Sequence, residues 1–351
     1  MPYNDRRHRR SILITARPKV SRLIGSIACL AIPSVLARLA RAPPDFGIID
    51  IVTEADHDRH PGADGQRIFS EQRPQLMGIA YRMLGSVADA EDVVRDAFLR
   101  WRHADRSRIN NPAAWLTRIV TKLCVRLLES AARHQGYVGI WLPEPVPTAD
   151  GALGPLATIA EQETLSFGLL RLLELLSSQE RATFVLYEAF GYRHREIGRI
   201  LDISEQSSRQ LLHRARSQLA TARRHPHPFD RHDHRQLVRR FLAAARQGDV
   251  ATLRELLAAD AQSWVDGNGR TTARAPILGR ENTADYWAAI ARRPEATSVD
   301  LARTEFNGRP GLLARRRSRV IAAASFDLGP TGIESIWLVV NPDKLGHLSG
   351  P

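Results

Sequence analysis

Two sets of polar side chains are spaced so that a helix would present each of them to a polyanion. Arg118, Lys122 and Arg126 fall at i, i+4 and i+8, which lines three cations along one helix side, with Arg133 continuing the row. Such a stripe can track a phosphate backbone, and it also suits an ordinary solvated face. Further on, Ser208, Leu212, Ala215 and Leu219 mark the inward side of a second helix and leave Glu205, Gln206, Arg209, Gln210, His213, Arg214 and Arg216 outside. A recognition helix docks by its N-terminal turns. Gln206, Ser207, Arg209, Gln210 and His213 then stand at base edges, and Arg214 and Arg216 at phosphates. A surface helix in a plain bundle would carry the same pattern. Candidates for catalysis are thinner. Asp266 and Asp285 are carboxylates in the C-terminal third, but nothing in the sequence makes them a facing acid/base pair, so turn or cap roles and no reaction are expected of them. Cys29 and Cys124 are the only cysteines, with no CxxC and no Cys/His metal spacing. Neither a zinc site nor a disulfide framework is expected, no cofactor is implied, and a reducing cytoplasm is favoured.

The elements that must position these groups can be read from periodicity. Leu76, Ile79, Ala80, Met83 and Leu84 form one face of a helix that Gly85-Ser86 ends. Ser86 is placed to cap a second helix, with Asp89 in its first turn, Val94, Ala97, Phe98 and Trp101 on its apolar side and Glu91, Asp92, Arg95 and Asp96 opposite. Asn111-Pro112 opens the cationic helix, whose buried side is expected to hold Leu116, Ile119, Val120, Leu123 and Leu127. The polar loop from His103 to Asn111 is long enough to hold an extruded base.

A leucine-rich helix through Leu169, Leu172, Leu173 and Leu176 starts the next unit. Ser177 and Glu180 then spell a capping box, a helix through Phe184 to Leu186 stops near Gly191, a short helix carries Ile197, Ile200 and Leu201, Asp202-Ile203 turns, and Ser204 caps again. That is the helix-turn-helix cadence, weakened only by Arg193 where a capping Ser would serve better. In the last third, a helix from Arg235 to Arg246 and another through Leu253, Leu256 and Leu257 precede strand-like runs at 263–265, 320–326 and 336–340, with a turn at Asp266-Gly-Asn-Gly269.

Composition bounds the partners. The 351 residues exceed one ordinary domain, and 43% apolar with 25% charged residues is normal for a chain with buried cores. A net charge of +12 favours nucleic acid or an anionic membrane surface. Nearly all of it is arginine, as suits guanine and phosphate recognition or simply a GC-rich genome. Residues 1–65 are set apart as an N-terminal extension, with seven cations before an apolar run from Leu23 to Ala37. The run resembles a signal peptide but is too short to span a bilayer and is broken by Pro33. The favoured expectation is a start codon set too far upstream, with Val52 one candidate for the true start and a mature N-terminus near residue 50.

Residues 78–101, GIAYRMLGSVADAEDVVRDAFLRW, and 111–130, NPAAWLTRIVTKLCVRLLES, resemble region 2 of a bacterial extracytoplasmic-function sigma factor, and 177–219 resembles region 4, the likeness running from about Arg67 to Arg224. The resemblance implies that Asp89, Glu91, Asp92 and Asp96 bind core RNA polymerase at the beta-prime clamp. It implies that Asn111, Trp115, Arg118, Lys122 and Arg126 melt and hold the minus-ten promoter element. The Ser204 helix would read the minus-thirty-five element, and the beta flap would be a second polymerase contact. WLPEP (Trp141, Leu142, Pro143, Glu144, Pro145) lies in a Pro-rich linker, a spacer on its face, and resembles the linker motif of one sigma subgroup. In that subgroup an α+β SnoaL-like (NTF2-like) cone domain follows. FLAAARQGDVATLRELL and the terminal NPDKL (Asn341, Pro342, Asp343, Lys344, Leu345) fit it, whereas Asp266-Gly267-Asn-Gly-Arg departs from its glycine-rich turn.

The expected architecture is therefore multidomain: two all-α helical sigma domains at 66–135 and 164–224, a linker at 136–163, and the cone domain at 230–349. The implied function is a cytoplasmic sigma factor that directs promoter recognition and is regulated by its C-terminal domain, through a small-molecule or protein regulator. A free-standing helix-turn-helix regulator, or a SnoaL-like isomerase or cyclase fused to a DNA-binding module, remains open at this point.

Overall fold

Gly85, with φ of 66°, lets the chain reverse between the first two helices. Helix α1 (Pro61–Leu84) ends there after burying Leu76, Ile79, Ala80, Met83 and Leu84. Ser86 Oγ then accepts the Asp89 N–H at 3.1 Å and starts α2 (Val87–His103), whose buried side is Ala90, Val93, Val94, Ala97 and Trp101. A single 3-10 turn at Arg106–Arg108, capped by Asp105, fills the polar loop. Helix α3 (Pro112–Glu129) follows its Asn111 cap as expected, but it is buried on two sides. Leu116, Val120 and Leu123 are joined in burial by Thr117, Thr121 and Cys124, while Ile119 and Leu127 are only half-buried. The second buried side faces the next helical unit.

The structure, a computed structural model, describes residues 61–130, 137–148, 165–222, 231–269, 273, 275–293 and 298–348, all within one compact unit. The expectations for residues 1–60 and for Arg133 lie outside the described residues.

The second helical unit comprises α4 (Phe167–Leu173), α5 (Ser178–Phe184) running on as a π turn (Val185–Ala189), α6 (His194–Leu201) and α7 (Glu205–Ala222). The Ser177 capping box is present, with Glu180 N–H on Ser177 Oγ at 3.3 Å and Ser177 N–H on the Glu180 carboxylate at 3.0 Å. Arg193 caps nothing with its side chain, and Glu196 compensates by accepting the Arg193 N–H at 2.7 Å. One apolar core runs through both helical units, from Leu76, Trp101 and Val120 to Leu186, Ile197 and Leu212.

The C-terminal third is α+β. Helix α8 (Arg231–Gln247) turns through Gly248 into α9 (Val250–Leu256), capped by Asp249. Leu257 does not extend α9, as its spacing suggests, but opens β1 (Leu257–Asp266). Strand β2 (Ile277–Leu278) and helix α10 (Arg280–Ala291) precede β3 (Asp300–Phe306), β4 (Arg309–Arg316), β5 (Arg319–Gly329) and β6 (Gly332–Val339). The six strands lie in the order β2-β1-β6-β5-β4-β3, antiparallel except for β1 beside β6. Side chains alternate between two buried faces. Ala324, Phe326, Ile336 and Leu338 meet Phe241 and Trp287 of the covering helices α8 and α10. Leu313, Ala323, Trp337 and Val339 point the other way, onto Ile140 and Leu142 of the linker and Phe167 of α4.

Candidate nucleic-acid interface and linker clamp

The helix-turn-helix is built from three local devices. Asp202 ends α6 in the left-handed region with φ of 58°. Ser204 Oγ accepts the Ser207 N–H at 2.9 Å and caps α7. Gly198 lets the turn close, since a Cβ there would stand 2.7 Å from the Ile203 carbonyl oxygen. The glycine was not singled out from sequence, although its place four residues before the turn was a usable signal. Ser208, Leu212, Ala215 and Leu219 are buried as expected. His194 Nδ1 lies 3.0 Å from Ser208 Oγ and its ring stacks on Tyr187; burial, then the nearby Arg209 guanidinium, holds its pKa below the ordinary value.

Gln206, Arg209, Gln210, His213, Arg214 and Arg216 are exposed along α7, so the structure gathers them on one outer face. Three of the seven candidates are already occupied. The Ser207 hydroxyl sits 2.8 Å from Ser204 Oγ, Arg209 is paired with Glu205, and Arg216 bonds Glu188 at 2.8 Å and lies over the Tyr187 ring.

On the first helical unit, Asn111 uses its side chain to accept the Ala114 N–H, and Trp115 is half-buried against Trp101 with ring centroids 5.6 Å apart. Arg126 is exposed, whereas Arg118 and Lys122 do not form an open stripe. Both are ion-paired to Asp202, Arg118 at 2.7 Å, so the turn of the helix-turn-helix sits on the cationic helix. Gln75 and Thr117 bond the Tyr192 hydroxyl at 2.9 and 3.1 Å, and buried Arg181 donates to the Met83 carbonyl and the Glu174 carboxylate, both at 2.9 Å. Along α2, Glu91 and Asp92 are exposed, Asp89 and Asp96 half-buried; Asp92 pairs with Arg95 and Asp96 with Arg100.

The WLPEP segment is no bare spacer. Leu142, Pro143, Glu144 and Pro145 are buried and Trp141 half-buried. The Glu144 carboxylate accepts from Ser86 Oγ at 2.9 Å and from the Val87 N–H at 2.8 Å, adding a second cap to α2, and the Tyr81 hydroxyl donates to the Glu144 carbonyl at 2.6 Å. On its other side the linker meets the sheet domain. Asp266 corrects the sequence expectation most clearly. It is fully buried at the end of β1, its role is neither turn nor cap, and its carboxylate collects the Leu142 N–H at 2.8 Å, the Lys344 ammonium at 2.7 Å and the Tyr137 hydroxyl. Lys344 also donates to the Leu142 carbonyl and lies over the Trp141 and Tyr137 rings. Burial lowers the Lys344 pKa, opposed by the Asp266 charge, and burial with the bond to Asp266 raises that of Tyr137. Asn341 bonds the Tyr137 hydroxyl and caps the 3-10 turn of Pro342, exposed Asp343 and Lys344, while buried Leu345 joins the apolar side with Leu142. Gly267 is buried beside Asp266, and the turn itself is made by Asn268 and Gly269.

Asn307 was missed altogether. It sits with φ of 54° in the β3–β4 turn and is fully buried, donating through Nδ2 to the Tyr81 hydroxyl at 2.6 Å and the Leu165 carbonyl at 2.9 Å. Its Oδ1 accepts the Val146 N–H at 2.9 Å. One side chain thus ties the first helical unit, the linker and the start of α4 to the sheet. Asp285 is exposed and pairs with Arg254, so no Asp266–Asp285 pair exists.

Fold and site together define a DNA-reading protein with two coupled helical units, whose linker is gripped by an α+β domain. Comparison with known proteins gives this class its family. Residues 68–134 match the family model "Sigma-70 region 2" and residues 166–219 match "Sigma-70, region 4". The ECF RNA polymerase sigma factor SigJ of Mycobacterium tuberculosis is 35% identical over 79% of this chain and 91% of its own length. A probable sigma factor of the same organism, SigI, is 27% identical over 79% of this chain and 93% of its own length. The crystal structure of M. tuberculosis SigJ matches with a TM-score of 0.64 at 31% identity, covering 82% of this chain and 99% of that one. The chain belongs to the extracytoplasmic-function RNA polymerase sigma factors. It binds core RNA polymerase and promoter DNA and directs transcription initiation. Among the described residues no helix is long and apolar enough to cross a membrane.

Proposed function

We propose that this sigma factor adopts a self-closed state, which the C-terminal domain maintains by gripping the linker. Asp89, Glu91, Asp92 and Asp96 of α2 contact the beta-prime clamp of the polymerase, and region 4 contacts the beta flap. Asn111, Trp115, Arg118, Lys122 and Arg126 hold the minus-ten element. Gln206, Ser207, Arg209, Gln210, His213, Arg214 and Arg216 of α7 serve the minus-thirty-five element. Trp141 to Pro145, Asp266, Gly267 and Asn341 to Leu345 are the regulatory clamp.

The observation that carries the closed-state reading is the grip of Asp202 on Arg118 and Lys122. The two promoter elements lie about 25 base pairs apart, roughly 85 Å along a duplex. Helices touching through a 2.7 Å ion pair cannot serve both at once. Region 4 must leave α3 before both elements are engaged. The exposed ion pair itself is worth at most about 1 kcal/mol, so the shared core and the clamp, rather than that pair, hold the units together.

In vitro transcription with purified core polymerase tests this. The full chain should give promoter-specific transcripts, and Asp266→Asn, which weakens the clamp, should give more. No specific transcript from either protein would sink the assignment of promoter contacts. Equal yields would sink the closed state alone.

A further inference from the structure

Between the sheet and helices α8 and α10 lies a cavity of about 400 Å³, within the range of small-molecule sites. Its walls are apolar: Val265, Leu312, Ala324 and Leu338 from the sheet, Trp287 and Ile290 from α10. Tyr286 lines it as well, and burial raises its hydroxyl pKa. The Trp287 indole N–H is spent on Ser263 Oγ at 2.9 Å, so it is not an open donor.

Charge enters at three places. Arg246, at the end of α8, Arg293, just after α10, and Arg316, at the end of β4, all line the cavity, and all three are exposed. None forms an ion pair among the described residues, although carboxylates partner other arginines there, among them Arg100, Arg181 and Arg309. The described lining contains no Asp, Glu or His. An apolar chamber with cations at its rim and no carboxylate within suits an anion with an apolar body. At roughly 30 Å³ per water-sized group, the space holds on the order of a dozen non-hydrogen atoms.

We infer that this cavity binds a small amphipathic carboxylate, its apolar body between α10 and the sheet and its carboxylate at Arg246, Arg293 and Arg316. The inference rests on the regulatory reading of the domain only for its consequence. Binding is measured without polymerase or DNA, so its failure and that of the closed-state reading are separate.

Isothermal titration of the full chain with decanoate, 2-naphthoate and the uncharged decan-1-ol provides the test. At least one carboxylate should bind at a single site below roughly 1 mM, and decan-1-ol at least about tenfold more weakly than decanoate if the chain form is preferred. Replacing the three exposed arginines together by Gln should cost that carboxylate at least about tenfold while leaving the thermal melt unchanged. Ala322→Phe, which fills the chamber from β5, should abolish binding, with circular dichroism confirming the fold. The inference is overturned if neither carboxylate binds, if the Gln variant keeps its affinity, or if folded Ala322→Phe still binds.

Discussion

Replacing Asp266 by Asn keeps the shape of the side chain and removes its charge, so it isolates what the buried pair with Lys344 contributes. Lys344 would keep its place near the Leu142 carbonyl and the Trp141 and Tyr137 rings without a counter-ion. Breaking one partner of a buried ion pair costs about 3–5 kcal/mol. An independent ceiling agrees, because Lys344 can escape by losing its proton, and deprotonating an ordinary lysine at pH 7 costs about 4.6 kcal/mol. Burial already lowers the Lys344 pKa in the wild type, which makes that escape easier and places the loss towards the lower end. Three kcal/mol is about two decades of equilibrium constant at about 1.4 kcal/mol each. Hydrogen exchange of the linker amides reads that equilibrium directly, since Leu142 N–H is the group bonded to Asp266. Exchange at Leu142 should quicken by about a hundredfold, with the recognition helix α7 unaffected. An Asp266→Asn, Lys344→Met double variant should recover most of the loss, because it removes the unpaired buried ammonium while the amide oxygen introduced at position 266 still accepts the Leu142 N–H. If exchange at Leu142 rises less than tenfold, or if the double variant is worse than the single, the pair is not what holds the linker.

Further outcomes follow from single positions. Arg209→Ala should weaken discrimination of the upstream element by roughly 1–3 kcal/mol in competition binding, whereas an equal loss on every sequence would make Arg209 a phosphate contact. Gly198→Ala forces a methyl into the 2.7 Å gap before the Ile203 carbonyl and should cost about 1–3 kcal/mol in a urea melt; an unchanged midpoint would show that the turn is slack. His234 is buried with Nε2 3.1 Å from the Phe326 carbonyl, and burial pushes its pKa down to about 4. The unfolded chain therefore takes up that proton first, so the folded state loses stability as pH falls from about 6.5 to 4, by up to about 3 kcal/mol. His234→Gln should remove that loss, and identical pH slopes for the two proteins would refute the assignment.

The helical units were legible because their determinants are local. The Ser86, Ser177 and Ser204 caps and the inward row of α7 each lie within a few residues of what they specify. The second buried side of α3 was not legible, since Thr117 and Thr121 carry no apolar signal, and Thr117 meets Tyr192 of the other unit. Strands β3 and β4 were missed because Arg303, Arg309, Arg315 and Arg316 dilute their alternation, although Asn307-Gly308, both at positive φ, spells a two-residue hairpin turn. Asp266 was misjudged for a different reason. Its partners stand 78 to 129 residues away, and Asp-Gly in sequence reads first as a turn.

The chemistry of the clamp bears on why it can open. The linker's joints are buried polar hubs rather than apolar contacts alone, at Asp266 and Asn307 with the sheet and at Glu144 with the first helical unit. Desolvating such groups nearly cancels what their bonds return, so a hub fixes one register sharply while contributing little net stability. An all-apolar joint would invert this, adding free energy with each buried group and tolerating slippage. The apolar contacts that accompany the hubs, Leu142 and Phe167 on Trp337 and Val339, supply the attraction. Strand alternation then places Val265, Leu338 and Val340 on the cavity wall while their neighbours Asp266, Val339 and Asn341 face the linker. A displacement of β1 or β6 by filling the cavity would therefore reach the clamp within one residue, without passing through the rest of the sheet.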